Sequence, residues 1–312
     1  MRTTPRRTVS SAATKPGGRL NVQNCPPQRL PRWMRTPLRT DRDYVRVQRL
    51  LEDQSLHTVC SDARCPNRHR CWNDGTATFM ILGNVCTRNC RFCAVQKGTP
   101  AAPDADEPAR IAGAVHKMNL RHVVITSVTR DDLPDGGASL FAEIIRALRE
   151  TGRDLTVEVL VPDFRGDVSA VETVMNAKPD VFNHNLETVR RLQPEIRPMA
   201  SYETSLGVLR AASAWGGALI KSGLMLGIGE AKDEILQAMD DLLDAGCELL
   251  TMGQYLAPSP AHFPVLRFLP PEEFDELGRI AGDKGFKAVA SGPLVRSSFR
   301  AAQMLARAKG AA

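Results

Sequence analysis

From residue 77 to residue 291 the chain alternates short apolar runs with longer amphipathic stretches. That rhythm restricts the fold more than any other feature. The apolar runs are Ala77–Gly83, His122–Val128, Thr156–Pro162, Val181–Leu186, Ile220–Gly227, Leu249–Tyr255 and Ala288–Ser291. Each is dense in Val, Ile or Leu, as strands covered on both faces are. Between them, residues 138–150 put Leu140, Phe141, Ile144, Ile145 and Leu148 on one helical stripe. Residues 232–245 do the same with Ile235, Met239, Leu242 and Leu243 and stop at Gly246. Residues 271–284 open on Pro271, Glu272 and Glu273 and stop before Gly285, the expected helix polarity. Fainter helical patterns cover 107–118, 167–177 and 201–214. Repeated strand–helix units imply parallel strands with helical crossovers. The fold class is α/β, and six units plus a short last strand suit a partial (β/α)6-type barrel. Spacing alone leaves a doubly wound sheet open. In both, ligands gather at the carboxyl ends of the strands.

Charge is unevenly placed. The net +6 hides a leader, residues 1–40, with nine Arg or Lys and no acid. Removing those nine from 41 leaves 32 basic against 35 acidic residues elsewhere. A nucleic-acid-binding domain carries its basic surface on the folded body, so no nucleic-acid partner is expected. Residues 1–28 read as a basic, disordered tail, with an Arg-rich transit peptide as the alternative. No apolar stretch suits a signal peptide or a membrane span, so no membrane association is expected. The expected location is the cytoplasm, or the mitochondrion in a eukaryote.

Six of the eight cysteines lie between Cys60 and Cys93, a density that points to metal binding rather than disulfides. Cys25 and Cys247 stand apart and read as free thiols, and the lone His116 and His122 as surface or packing residues. Cys86-Thr-Arg-Asn-Cys90-Arg-Phe-Cys93 follows the first strand. Three soft thiolates at this spacing can hold an iron–sulfur cluster while leaving one iron open. A structural zinc site normally takes four ligands from two C-x2-C-like arms, which this triplet fits poorly. Upstream, Cys60-Ser-Asp-Ala-Arg-Cys65-Pro-Asn-Arg-His-Arg-Cys71 offers a second set of three.

The C-x3-C-x2-C loop with Phe92 resembles the radical S-adenosylmethionine superfamily, in which the open iron binds S-adenosylmethionine and radical chemistry follows. Gly223-Leu-Met-Leu-Gly227-Ile-Gly-Glu230 is similar to that superfamily's glycine-rich segment near the adenine, implying cofactor contacts at Gly227 and Glu230. Thr126 and Ser127, ending the second strand, are placed to meet the methionine portion. Asn183, His184, Asn185 and Glu187 are candidates for ribose or substrate contacts.

The second triplet narrows the resemblance to the lipoyl synthases, with Arg296-Ser-Ser-Phe299 matching the family's R-S-S-aromatic motif. Further matching runs are Leu56-His-Thr-Val-Cys60, Arg130-Asp-Asp-Leu-Pro-Asp-Gly-Gly137 and Asn183-His-Asn-Leu-Glu-Thr188. The resemblance implies two 4Fe-4S clusters and S-adenosylmethionine as cofactors. Cys86, Cys90 and Cys93 would hold the cluster that binds S-adenosylmethionine. Cys60, Cys65 and Cys71 would hold an auxiliary cluster completed by Ser298, with Ser297 the fallback. Arg296 would hold the serine loop or the substrate. The implied layout is a leader (1–28), an N-terminal extension with the auxiliary cysteines (29–75), the barrel (76–287) and a C-terminal segment (288–312); the two extensions hold the auxiliary cluster.

The implied reaction inserts two sulfur atoms at C6 and C8 of an octanoyl group, consuming the auxiliary cluster as sulfur source. Implied partners are octanoylated lipoyl-carrier domains (2-oxoacid dehydrogenase E2 subunits and glycine cleavage H protein), a ferredoxin or flavodoxin reductant, and an iron–sulfur carrier protein. Alternatives are a methylthiotransferase or biotin-synthase-like enzyme, an inactive homologue, or an iron–sulfur carrier. The chain departs from the family pattern at His69-Arg70, where Gly-Glu is usual. It also departs at Phe299 for tyrosine, Ala257 for arginine and Ser259 for threonine.

Overall fold

Each expected apolar run carries a strand in the computed structural model, which describes residues 29–35, 41–73 and 76–310. The leader 1–28, with Cys25, lies outside the described residues. In chain order the elements begin with α1 (Arg42–Asp53), β1 (His57–Thr58), α2 (Val59–Asp62) and α3 (Arg68–Asn73). There follow β2 (Thr78–Ile81), β3 (Val85–Cys86), β4 (Gln96–Lys97), α4 (Glu107–Lys117), β5 (His122–Ser127), α5 (Ala138–Glu150) and β6 (Thr156–Leu160). Next come α6 (Val168–Asn176), β7 (Val181–Asn183), α7 (Gln193–Ile196), α8 (Tyr202–Trp215), β8 (Leu219–Leu226) and α9 (Lys232–Asp244). The last are β9 (Leu249–Gln254), α10 (Pro271–Lys284), β10 (Ala288–Gly292) and α11 (Ala301–Ala308).

The strands form one sheet in the order β1-β2-β5-β6-β7-β8-β9-β10. All neighbours from β2 to β10 are parallel, and β1 alone runs antiparallel, along β2. Strand order follows chain order, as in a barrel, and no reversal creates the switch point of a doubly wound sheet. Among the described residues β2 and β10 do not pair, so the barrel stays open along one side. Sequence pattern missed β1 and the small β3–β4 pair, because two-residue strands carry no periodicity.

Local chemistry sets the helix ends. The Ser201 hydroxyl accepts from Thr204 N at 2.9 Å at the start of α8, and Asp167 accepts from Ser169 N at 2.9 Å before α6. Gly285 ends α10 with φ 118°, the left-handed conformation glycine adopts at least cost. The α5 stripe Leu140, Phe141, Ile144, Ile145 and Leu148 is buried against the sheet as its spacing predicts. Burial of each such side chain contributes about 1.5–3 kcal/mol.

After β10 the chain turns back into the barrel instead of leaving it. α11 then packs Met304 and Leu305 against Val181, Leu249 and Ala288, the first residues of β7, β9 and β10. The amino end of the barrel is thereby covered, and ligand access is left to the carboxyl ends.

An ion pair lies inside this framework. Lys221 of β8 reaches Glu158 of β6 at 2.7 Å, both about 1% exposed, and Asn183 of β7 donates to the same carboxylate at 3.2 Å. His122 of β5 stands 3.8 Å away. Burial alone would raise the Glu158 pKa, but Lys221 and His122 outweigh it and hold the group below the usual carboxylate range. Lys221→Met should therefore cost about 3–5 kcal/mol in urea unfolding at pH 7 by stranding a buried carboxylate. Adding Glu158→Leu should recover most of that loss. In the wild type the contribution of Glu158 is present above about pH 4.3 and lost as pH falls through its lowered pKa. The deficit of Lys221→Met should narrow between pH 7 and pH 5, because there the unpaired carboxyl is protonated. A deficit constant across that range would contradict the pairing.

Candidate active site

The loop carrying Cys86, Cys90 and Cys93 lies beyond the carboxyl end of β2 and is held from several sides. Gly98 N donates to Cys86 O at 3.0 Å, closing the β3–β4 pair at the loop base. Arg88, 5% exposed, forks onto Asp131 through Nε and a second nitrogen at 2.7 and 2.8 Å, and bonds Asp163 at 2.7 Å. Burial would raise both carboxyl pKa values; the Arg88 bonds outweigh it and keep both groups ionised. Arg91 N donates to Ile196 O at 2.9 Å, while its guanidinium lies 5.0 Å from the Phe263 ring centroid. His262 bridges Ser259 Oγ at 2.8 Å and the Cys93 carbonyl at 3.1 Å. The segment after β9 therefore clamps the end of the loop.

The second triplet stands on the N-terminal extension. Cys60 lies in α2, Cys65 in the loop after it and Cys71 in α3. The returning tail runs beside them. Asn67 donates to Leu294 O at 2.7 Å, Ser297 to Asn185 Oδ1 at 2.7 Å, and Thr78 of β2 to Ser298 Oγ at 2.9 Å. The last bond spans 220 residues of sequence and bridges the open side of the barrel. Close approach depends on Gly253 of β9, where any Cβ would collide with the Val295 carbonyl. Arg296 turns one nitrogen onto its own Val295 carbonyl at 2.6 Å. Its charge also lies close enough to Cys65 to oppose the raising of that thiol by burial.

Cys60, Cys65, Cys86, Cys90, Cys93 and Ser298 all border one cavity of about 1290 Å³. Cys71 does not; it sits half-buried on α3, its backbone tied to Asn67 and Thr76. Burial pushes the Cys60 thiol up to about 11, helped by Cys65, and the Cys93 thiol up to about 12, helped by Cys90 and Cys86. Cys65 and Cys90 are raised by burial as well, with Arg197 opposing the rise at Cys90. Such thiols become thiolates when a metal centre supplies the balancing charge. Among the described residues no three His, Cys, Asp or Glu donors converge on a point suited to a single ion. Sulfurs around a cluster stand farther apart, and these border a common space. Ser127 Oγ, His184 Nε2 and Arg197 Nε are buried without a protein partner, and all three residues border the same cavity. Burial, then Arg197, lowers the His184 pKa to about 4, so its ring is neutral. Soft donors and unspent polar atoms fit a pair of clusters and a small charged cofactor.

The other sequence-predicted residues divide. Phe92, Thr126, Asn185 and Glu187 border the cavity, although the Thr126 hydroxyl already donates to Leu160 O at 2.8 Å. Burial raises the Glu187 carboxyl, with Arg197 opposing. Asn183 faces the Glu158 ion pair rather than the cavity. Gly227 and Glu230 do not border it either. The missing Cβ of Gly227 makes room for Gln254 Nε2 and the Arg267 carbonyl, and Glu230 accepts from the backbone of Gly227 and Ile228 at 2.5 and 2.9 Å. These two residues shape the turn after β8. Sequence reasoning missed Arg88, Arg197, His262 and Thr78. Arg88 had a signal, lying inside the cysteine loop; the others are brought in only by tertiary structure.

Residues 80–242 match the Radical SAM superfamily, and residues 6–65 match the N-terminal domain of lipoyl synthase of that family. The chain is 54% identical over 285 residues to the lipoyl synthase of Pyrobaculum arsenaticum, covering 90% of this chain and 96% of that one. It is 53% identical to the lipoyl synthase of Chlorobium phaeovibrioides (88% and 98% covered) and 53% identical to that of Thermus thermophilus (87% and 85%). Among solved structures, methylornithine synthase superposes with a TM-score of 0.52 at 13% identity, over 79% of this chain and 74% of that one. The maturase HydG gives 0.54 at 14% identity, over 67% and 51%. At such identities the likeness is one of fold.

Arg88→Met should strand the buried Asp163 carboxylate, leave the half-buried Asp131 to Arg165 and Thr87, and cost about 3–5 kcal/mol in urea unfolding. Arg88→Lys should restore little of it, because an ammonium cannot fork onto Asp131 while bonding Asp163. Full recovery with lysine would show that charge alone, not the fork, holds the loop.

Proposed function

The chain belongs to the lipoyl synthase family of radical S-adenosylmethionine enzymes, and we propose which of its residues carry that family's chemistry. The enzyme inserts two sulfur atoms at C6 and C8 of an octanoyl group borne by a lipoyl-carrier protein, using two 4Fe-4S clusters and S-adenosylmethionine. We assign Cys86, Cys90 and Cys93 to the cluster that binds S-adenosylmethionine. To the auxiliary cluster we assign Cys60, Cys65, Cys71 and, as the fourth ligand, Ser298. The observation that carries this reading is the shared cavity: five of the six cysteines, all but Cys71, and Ser298 border a single space. When bound, the clusters and S-adenosylmethionine supply radical hydrogen abstraction and sulfide.

The work left to the polypeptide is binding, orientation and exclusion of water. Arg88, held by Asp131 and Asp163, fixes the loop that presents three thiols. Ser127, His184 and Arg197 offer unspent polar atoms to the charged portion of S-adenosylmethionine. Met80, Val128, Leu224 and Met225 give the cavity apolar wall against which an octanoyl chain can lie. A serine oxygen is a hard donor among soft thiolates, which suits Ser298 to a cluster that must be opened to release sulfide.

The layout we propose assigns 29–75 and 288–312 to the auxiliary cluster and 76–287 to the radical chemistry, behind a basic segment, 1–28, most of which falls within the match to the lipoyl synthase N-terminal domain. The carriers we propose are 2-oxoacid dehydrogenase E2 subunits and glycine cleavage H protein. We propose ferredoxin or flavodoxin as reductant and an iron–sulfur carrier to rebuild the auxiliary cluster. Among the described residues no helix is long and apolar enough to cross a membrane; the site of action we propose is the cytoplasm.

Anaerobic reconstitution should load about eight irons per chain, two four-iron clusters. With reductant, S-adenosylmethionine and an octanoyl-lysyl peptide, the protein should then release deoxyadenosine and a peptide carrying two sulfurs. Four irons or fewer would overturn the two-cluster assignment. Ser298→Ala should still cleave S-adenosylmethionine but make no dithiolated peptide; product from that variant would remove Ser298 from the ligand set.

A further inference from the structure

Two residues flanking the proposed auxiliary ligands meet in space. Arg70 lies on α3 immediately before Cys71, and Phe299 follows Ser298 on the returning tail. The Arg70 guanidinium stands over the Phe299 ring, 5.4 Å from its centroid, and the Arg300 guanidinium lies at the same distance. A cation over an aromatic face is attracted by the negative ring quadrupole. Both arginines are exposed and the ring is half-buried, so the contacts belong to the surface and are individually modest.

Their position makes them consequential. α3 is already fixed on α1. His69 stacks on Tyr44 at 5.0 Å with planes 7° apart, and Trp72 packs on the same tyrosine at 5.0 Å. The tail has anchors at Leu294, Ser297 and Ser298, then swings through the left-handed residue Arg300 (φ 54°) into α11. Between Ser298 and α11, Phe299 is the side chain that joins this tail to α3, the helix of the third auxiliary cysteine.

We propose that Arg70 and Phe299 form a latch that holds Ser298 against the auxiliary thiols, with Arg70 and Arg300 gripping the ring from the extension and from the tail. The inference rests on the ligation assigned above to Ser298. Arg70 is a positioning residue: it acts through Phe299 on the backbone of Ser298. A tyrosine at 299 keeps the ring and so keeps the latch; an aliphatic residue loses it.

The test uses the anaerobically reconstituted full chain and follows iron release to an excess of a ferrous chelator. The spectroscopic signal of the cluster that binds S-adenosylmethionine serves as internal control. One exposed cation–π contact corresponds to about a two- to fivefold change in an equilibrium, and two contacts to roughly five- to twentyfold. Arg70→Ala should speed loss of auxiliary iron by about two- to fivefold and Phe299→Leu by roughly five- to twentyfold. Phe299→Tyr should stay close to the wild type, and the control signal should hold in every variant. If Phe299→Leu releases iron at the wild-type rate while Ser298→Ala is fast, the latch is wrong and the serine ligand stands. If Ser298→Ala itself is no faster than wild type, the serine ligand is wrong. Hydrogen exchange on the cluster-free chain then decides the latch alone. Amides 294–300 should exchange faster in Arg70→Ala and Phe299→Leu than in the wild type, and unchanged protection overturns it.

Discussion

Everything at the active face depends on the barrel's failure to close. A parallel sheet from β2 to β10 leaves one side without a strand-to-strand ladder, and exposed backbone there would be costly to leave unpaired. The chain fills the opening with the N-terminal extension on one flank and the returning tail on the other. One side-chain bond joins the two flanks, Asn67 to the Leu294 carbonyl, and a second ties the tail to β2, Thr78 to Ser298. A closed barrel would have no room for this insertion. Because the side is open, a serine from the far end of the sequence stands beside cysteines from its beginning.

The two thiol sets are supported by different physics. The loop of Cys86, Cys90 and Cys93 is local in sequence and is made rigid by charge, through a buried arginine shared between two carboxylates. The auxiliary set is assembled from distant segments and held by neutral hydrogen bonds, aromatic stacking and cation–π contacts. Buried charge pairs are costly to break, whereas such neutral and surface contacts are individually weak.

Much of this was legible in the chain. The apolar runs marked the seven parallel strands of the main sheet among the described residues, because strands buried on both faces must be apolar throughout. The cysteine spacings marked the site, since soft donors cluster for few other reasons. Gly227 and Glu230 show how little such a pattern says: glycine after a strand records a close approach without saying to what, and here it admits Gln254 and the Arg267 carbonyl. Arg197, His262 and Thr78 could not be found by pattern. Each gains its importance from a partner far away in sequence, and an isolated arginine, histidine or threonine carries no periodicity. The brevity of β1, β3 and β4 hid them in the same way.

The Ser298–Thr78 bond has a consequence for biosynthesis. A ribosome delivers Cys86, Cys90 and Cys93 together, within eight residues, but Ser298 arrives 220 residues after its partner Thr78. The thiol loop can fold as soon as the strands around it have emerged. A pocket bordered by both Thr78 and Ser298 can be finished only after every strand from β2 to β10 has been made.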